Sequence, residues 1–245
     1  MNSITRLEHT QHIKGMFSRI ADRYDLMNRI MTVGQDKRWR KEIVRRAALP
    51  KDGWLLDLGT GTGRLAQEVL YQHPACHVVA ADFTLDMMRI GKMHLSLATS
   101  THQRADWCAA DAHCLPFRDQ TFDAVVSGFL LRNISDIQQS LAAQFHVLKS
   151  GGRIVVLDTT PPTGSLFAPF TLFYLRTLVP TMGRIIAGNP EDYKYLTVST
   201  ENFLDPKQLG ARLTEAGFQE VVFRRLMFGT IAIHWGRKPL MGEKR

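Results

Sequence analysis

Three acids and three closely spaced glycines carry the first legible chemistry. Leu55-Leu56-Asp57-Leu58 is an apolar run broken by one carboxylate, and it leads straight into Gly59-Thr60-Gly61-Thr62-Gly63 and a helical pattern from Arg64. Glycines so spaced let the chain turn tightly and let a ligand approach the backbone. Asp82 closes the next apolar run 19 positions after Gly63, the separation at which a carboxylate accepts both hydroxyls of an adenosine ribose. In Asp111-Ala112, after the third run, the carboxylate can accept an adenine amine while the neighbouring N–H donates to a ring nitrogen. Asp57, Gly59, Gly61, Gly63, Asp82, Asp111 and Ala112 therefore form a predicted adenosine-cofactor site, with Ser127, at the end of the fourth run, placed beside them.

The charge of the turn chooses the cofactor. A nicotinamide or flavin enzyme uses G-x-G-x-x-G, but here the third glycine comes one residue earlier and Asp57 stands two before the first. A dinucleotide would bring a pyrophosphate, which that fixed negative charge repels; S-adenosylmethionine brings an ammonium and a sulfonium, which it attracts. S-adenosylmethionine is the expected cofactor.

These residues need strands to aim them. Apolar runs at Trp54 to Leu58, His77 to Phe83, Asp106 to Ala110, Phe122 to Ser127 and Arg153 to Asp158 alternate with helical patterns near 64–72, 84–97 and 136–148, as a parallel sheet with helices on both faces requires. Gly151-Gly152 punctuates the entry to the fifth run and Pro161-Pro162 its exit. Pro206 to Gly217 reads as a helix, and Glu220 to Leu226 with Thr230 to Trp235 as a hairpin turned at Met227-Phe228-Gly229. The fold class is thus α/β, Rossmann-like, a seven-stranded mostly parallel sheet ending in an antiparallel hairpin: the outline of a class I methyltransferase. Residues 11 to 48 have helical spacing, parted by Gly34, and lie in an N-terminal helical cap of residues 1–50; 51–245 form the core, with a substrate-cap insertion at about 161–203.

The chain has 245 residues, 44% of them hydrophobic, enough for a full core. No apolar run is long enough to span a bilayer and no leader pattern opens the chain, so a cytoplasmic protein is expected. Cys76, Cys108 and Cys114 lack the paired spacing of a zinc site, and no metal is expected. The net charge is +8, and six of the ten residues from Lys37 to Arg46 are basic. Such a run is commonly a solvated helix face; its other reading is an anionic surface.

Blocks outside the core narrow the class. Tyr24-Asp25-Leu26-Met27-Asn28, Asp36-Lys37-Arg38-Trp39-Arg40, Leu131-Arg132-Asn133-Ile134-Ser135-Asp136, and Met182-Gly183 through Tyr193-Lys194-Tyr195-Leu196 resemble the ubiquinone/menaquinone biosynthesis C-methyltransferases from about Phe17 to Lys238. The resemblance implies C-methylation of a polyprenylated quinol, with Thr62, Asp82, Asp111 and Ala112 touching the cofactor and Arg132 and Asn133 facing the quinol. The chain departs from the family in Gly59-Thr60-Gly61-Thr62-Gly63-Arg64, where alanine and paired glycines are usual. It has Asp158 where glutamate is usual, and the stretch Thr200 to Pro206 lacks an expected arginine.

The apolar, aromatic segment from Leu166 to Tyr195 suits a planar head with an isoprenoid tail, and Tyr193 and Tyr195 are the substrate residues expected there. A bilayer-resident substrate gives the basic run a use, transient contact with anionic lipid at the inner membrane face. A homodimer or a quinone-synthesis assembly is the other expected partner; nucleic acid is not, because no RNA-binding module is recognisable and the insertion is apolar. A phenol must lose its proton before its ring carbon attacks, so Arg132, Asn133 and Asp158 are the catalytic candidates, with His113 and Tyr195 as rival bases. Arg132 also has a bland reading, a surface ion pair with Asp136. The competing functions are methylation of another lipophilic molecule, methylation of RNA, and cofactor binding without catalysis.

Overall fold

The computed structural model describes residues 3–98, 104–161, 177, 181 and 190–243, without the side chains of 3–7, 9, 98, 190–194 and 196. Seven strands make one sheet: β1 (Trp54–Leu58), β2 (His77–Asp82), β3 (Ala105–Ala109), β4 (Phe122–Gly128), β5 (Leu148–Thr159), β6 (Gln219–Leu226) and β7 (Ile231–Arg237). Their order is β3-β2-β1-β4-β5-β7-β6, with β7 antiparallel to both its neighbours and the other pairs parallel. The order reverses between β1 and β4, and the crevice at such a switch point is where open sheets bind ligands.

Alternate residues of the central strands feed two apolar layers. Leu55, Val78, Ala80, Ala124, Val126 and Val155 pack on one face with α2 (Asp36–Ala47) and α3 (Arg64–Gln72). Leu56, Val79, Val125, Ile154 and Val156 pack on the other with α5 (Ile137–Val147) and α7 (Pro206–Glu215). Burial on both sides is why these strands read as continuous apolar runs. Asp136 caps α5 by accepting from Gln139 N, and Asp205 with Gln208 forms a capping box on α7, which fixes both starts.

A third apolar cluster stands apart from the sheet. Ile13, Met16, Phe17, Ile20, Ala21 and Met27 of α1 (Ser3–Met31) meet Met87 and Ile90 of α4 (Leu85–Ala98) and Tyr195 of α6 (Pro190–Glu201). The first helix thus starts eight residues before the expected 11. The fifth strand also starts earlier than expected, at Leu148, with a register shift between Phe122 and Ala124 of its neighbour. Gly151 and Gly152 lie inside it because they exchange backbone hydrogen bonds with Lys238 beyond the end of β7, each 2.8–3.0 Å. Most of the expected substrate cap, including 166–176, lies outside the described residues; α6 is its described end.

Candidate active site

Three buried or half-buried carboxylates hold three successive residues of the glycine turn. Asp57, from β1, accepts from Thr60 Oγ1 at 2.6 Å and from Ala66 N at 3.0 Å. Asp82, from β2, accepts from Gly61 N at 2.8 Å and, through its other oxygen, from Thr84 N at 2.8 Å. Asp25, from α1, accepts from Thr62 Oγ1 at 2.6 Å and from Arg64 Nε at 2.6 Å. Gly63 then caps α3 at φ +71, a conformation that favours glycine.

This arrangement is short of positive charge. Burial pushes Asp57 up to about 7, with Asp82 adding to the rise, and burial also raises Asp82 against its backbone donors. A cation bound between them would relieve both. Without one, a carboxyl that ionises near 7 when folded and near 3.8 when unfolded loses stability as pH rises between those values, on the order of 4 kcal/mol by pH 8. Asp57→Asn removes that titration. Its melting temperature should therefore exceed the parent's at pH 8 and approach it at pH 5, while its affinity for S-adenosylhomocysteine falls. Melting curves that run parallel across this range would refute the assignment.

Two cavities flank the turn. The smaller, about 70 Å³, is lined by Asp82, Asp111, Ala112, Leu130 and Asn133 together with Thr10 and Ile13 of α1, and corresponds to the expected adenosine side. His113 is a strut there. Its Nε2 faces Asp136 N at 3.4 Å and so accepts, which leaves Nδ1–H to donate to Asp111 Oδ1 at 2.6 Å. With both nitrogens engaged it is not poised as a base. The larger cavity, about 680 Å³, opens between Asp57, Gly59 and Thr62 of the turn, Gly128, Phe129 and Leu157 at the ends of β4 and β5, and Tyr24, Asp25, Asn28 and Arg29 of α1. A Cβ on Gly128 would meet nothing within 4 Å, so this strand end leaves its space to a ligand.

Behind Phe129 the catalytic candidates converge. Arg132 Nη1 lies 3.6 Å from Asp158 Oδ1, with side chains only 7% and 1% exposed, and Arg132 N donates to Asp158 Oδ2 at 3.2 Å. The arginine is therefore paired with a buried acid on β5 and not with Asp136, whose carboxylate is spent on the α5 cap. Its guanidinium lies 5.0 Å from the Phe129 ring centroid, and its buried Nε–H has no acceptor among the described residues. Tyr195 Oη donates to Asn133 Oδ1 at 3.2 Å, and Asn133 Nδ2 donates to Phe129 O at 3.0 Å. Burial raises Asp158 and Tyr195, Arg132 opposing in both; a raised carboxyl becomes a better base at neutral pH, a raised phenol remains a donor. Burial raises Tyr24 too, and the Arg132 charge reaches it.

Some expected residues stand elsewhere. Ser127 is fully buried, its hydroxyl without a hydrogen-bond partner among the described residues, and it lines neither cavity; Arg132, Asp158 and Tyr195 line neither as well, whereas Asn133 lines the smaller one. The Tyr193 side chain is outside the described residues. The Thr62 hydroxyl is engaged by Asp25. On α2, Arg40 pairs with Asp36 at 2.8 Å, Arg45 and Arg46 pair with Glu42, and Arg46 also lies over Trp235. Lys37, Arg38 and Lys41 remain exposed, so half of the basic run is internally neutralised. Sequence reasoning gave no role to Tyr24 or Asp25, although both lie in a block that it singled out.

Comparison with known proteins is consistent with this geometry. The profile described as the ubiE/COQ5 methyltransferase family matches residues 5–238. The ubiquinone/menaquinone biosynthesis C-methyltransferase UbiE of Desulfotalea psychrophila is 44% identical over 92% of this chain and 90% of its own. The demethylmenaquinone methyltransferase of Thermus thermophilus is 40% identical over 91% of this chain and all of its own. Among solved structures, an S-adenosylmethionine-dependent methyltransferase from Thermotoga maritima superimposes with a TM-score of 0.62 at 16% identity, covering 91% of this chain and 98% of that one. The phosphoethanolamine N-methyltransferase 2 of Haemonchus contortus, in complex with S-adenosyl-L-methionine, gives 0.63 at 14% identity, covering 82% and 52%. Both share the fold.

Proposed function

This chain belongs to the ubiE/COQ5 methyltransferase family, and from that premise we propose that it methylates a ring carbon of a polyprenylated quinol, a demethylmenaquinol or a ubiquinone precursor. It is an S-adenosylmethionine-dependent methyltransferase. The residues fit that cofactor: two buried acids lacking a countercharge, a glycine turn between them, and a small recess that brings Asp82, Asp111 and Ala112 together. When bound, the cofactor supplies an electrophilic methyl group on a positively charged sulfur.

The protein's own part is orientation and charge. Asp82 would hold the ribose and Asp111 the adenine amine, while Asp57 stabilises the positive end. The observation that carries the substrate reading is the buried Arg132–Asp158 pair at the ends of β4 and β5, with an Nε–H left without an acceptor among the described residues. That donor and the guanidinium charge suit a phenolate oxygen. Asp158, pushed up by burial, takes the phenol's proton, directly or through one water. The ring carbon so activated would then bond the methyl group that the cofactor would release from its sulfur. The proton on that carbon moves to the oxygen, so one proton leaves in total. Asn133 and Tyr195 fix the far side of the ring. Near-attack alignment of this kind lowers a barrier by roughly 7–11 kcal/mol.

We also propose that the substrate is taken from a membrane surface. No described helix is long and apolar enough to cross a membrane. Lys37 and Lys41 border the mouth of the larger cavity, and with Arg38 they offer exposed charge to anionic lipid, about 1 kcal/mol for each near the surface. One experiment tests both readings: transfer of labelled methyl from S-adenosylmethionine to demethylmenaquinol carried in anionic or neutral vesicles, with tRNA as the rival acceptor. Label should enter the quinol, faster from anionic vesicles, the advantage shrinking as salt shortens the Debye length below about 8 Å. Label in RNA alone would overturn the substrate; equal rates from both vesicles would overturn the membrane contact.

A further inference from the structure

Asp25 is the one acid of the turn that comes from outside the sheet. It lies 37 positions before Thr62 in sequence, yet its two oxygens take the Thr62 hydroxyl and the Arg64 Nε–H, each at 2.6 Å, and His94 Nδ1 of α4 stands 3.7 Å away. One carboxylate thus joins α1 to the turn and to the first residue of α3, with α4 close by. The helix carrying it lies over both cavities, through Thr10 and Ile13 on the small one and Tyr24, Asp25, Leu26, Asn28 and Arg29 on the large one. Its apolar contacts form a cluster separate from the two layers of the sheet, with Met16, Met27 and Met87 at its centre. Methionine interfaces repack readily because the side chain is unbranched and flexible. The helix thus has a polar anchor beside the cofactor turn, and its apolar face rests on an adaptable surface.

We propose that Asp25 is a positioning residue that latches α1, as a lid, onto the cofactor turn, and that Thr62 serves as the catch of this latch. The proposal rests on the reading of the turn as the cofactor site. While Asp25 holds Thr62 and Arg64, α1 closes both cavities; when those bonds open, the helix can lift and the cofactor can exchange. Asp25 thus sets how long the cofactor stays through residues 62 and 64, and it takes no part in moving the quinol's proton.

The test measures S-adenosylhomocysteine dissociation by stopped flow, and amide hydrogen exchange of the ligand-free protein, for the parent, Asp25→Ala, Thr62→Val and the double variant. Dissociation should quicken by about tenfold or more in Asp25→Ala, the size of effect that charge-assisted hydrogen bonds carry. Exchange should rise across residues 13–31 while β1, β4 and β5 keep their protection. Adding Thr62→Val to Asp25→Ala should change little, because the bond is already gone. Unchanged dissociation, fully additive effects, or exchange raised equally throughout the protein would each overturn the latch. Should Asp25→Ala fail to fold, Arg64→Gln removes the other bond and must quicken dissociation in the same direction. Failure of the parent to bind S-adenosylhomocysteine would overturn the cofactor reading and the latch with it; binding by the parent with unchanged dissociation in the variants would overturn the latch alone.

Discussion

Replacing Gly63 by valine should lower the melting temperature by about 10 °C and abolish cofactor binding. Gly63 sits at φ +71, and a Cβ there would lie 2.7 Å from Cη2 of the Trp107 indole, with Gly91 Cα of α4 behind it at 3.5 Å. Two costs add. A β-branched residue in the left-handed region carries about 1–3 kcal/mol of backbone strain, and overpacking a filled site carries about 1–3 kcal/mol more. For a chain of this size each kcal/mol shifts the melting temperature by about 2–4 °C. The contact also starts α3, so relieving the clash moves the backbone that Asp57, Asp82 and Asp25 grip. Gly91 separates the two costs. A Cβ there would meet Trp107 Cη2 at 2.5 Å and the Thr62 backbone carbon at 2.8 Å, but Gly91 has ordinary helical φ. Gly91→Ala should therefore lose only the packing part, and Trp107→Leu should relieve the indole's share of it but not the contact with the Thr62 backbone, while in Gly63→Val it leaves the backbone strain untouched. Calorimetry of the four variants reads this directly. Wild-type melting and cofactor affinity in Gly63→Val would mean that the turn does not pack on Trp107 in solution.

What could be read in advance follows from what each feature depends on. The strands were legible because both faces of the sheet are covered, which turns Val78 to Ala81 into an unbroken apolar run and leaves Leu55 to Leu58 broken only by Asp57. The acids at their ends were legible because charge at the close of such a run is costly unless it has work to do. The Asp25–Thr62 bond was not, since it joins residues 37 apart on elements whose relative placement no local pattern encodes. The same holds for Arg132 and Asp158, 26 apart, and it led the local partner Asp136 to look plausible. The spent half of the basic helix, by contrast, had a readable signal: Asp36 with Arg40 and Glu42 with Arg46 stand at the i,i+4 spacing of helical ion pairs. The early start of β5 hid because glycine pairs usually end strands, whereas Gly152 is needed where a Cβ would press on Lys149 O at 2.8 Å.

Arg132→Lys should reduce kcat by about 10²–10³-fold while leaving S-adenosylhomocysteine affinity within about twofold. Lysine keeps the charge but loses the planar fork, and here the fork has two jobs. One edge faces Asp158 Oδ1 at 3.6 Å; the Nε–H, buried and without an acceptor among the described residues, remains for the substrate oxygen. A single ammonium can serve one of these but not both from the same position. Arg132→Ala is the less informative change. Removing one partner of a buried pair costs about 3–5 kcal/mol, although Asp158, already raised by burial, can relieve part of that by taking a proton. That relief has a sign: with its cation gone Asp158 ionises at still higher pH, so Arg132→Ala should lose more stability at pH 9 than at pH 6. Arg132→Lys avoids the confusion, because a cation remains and the fold should hold across the range. Its pH–rate profile then separates two roles. If the guanidinium stabilises the phenolate, the rate should be depressed at pH 7 and partly recover toward pH 9, where the phenol ionises with less help. If Arg132 only props up Asp158, the depression should be the same at every pH. Full turnover on a quinol from pH 6 to 9 would make the arginine structural and leave Asp158 to act without it.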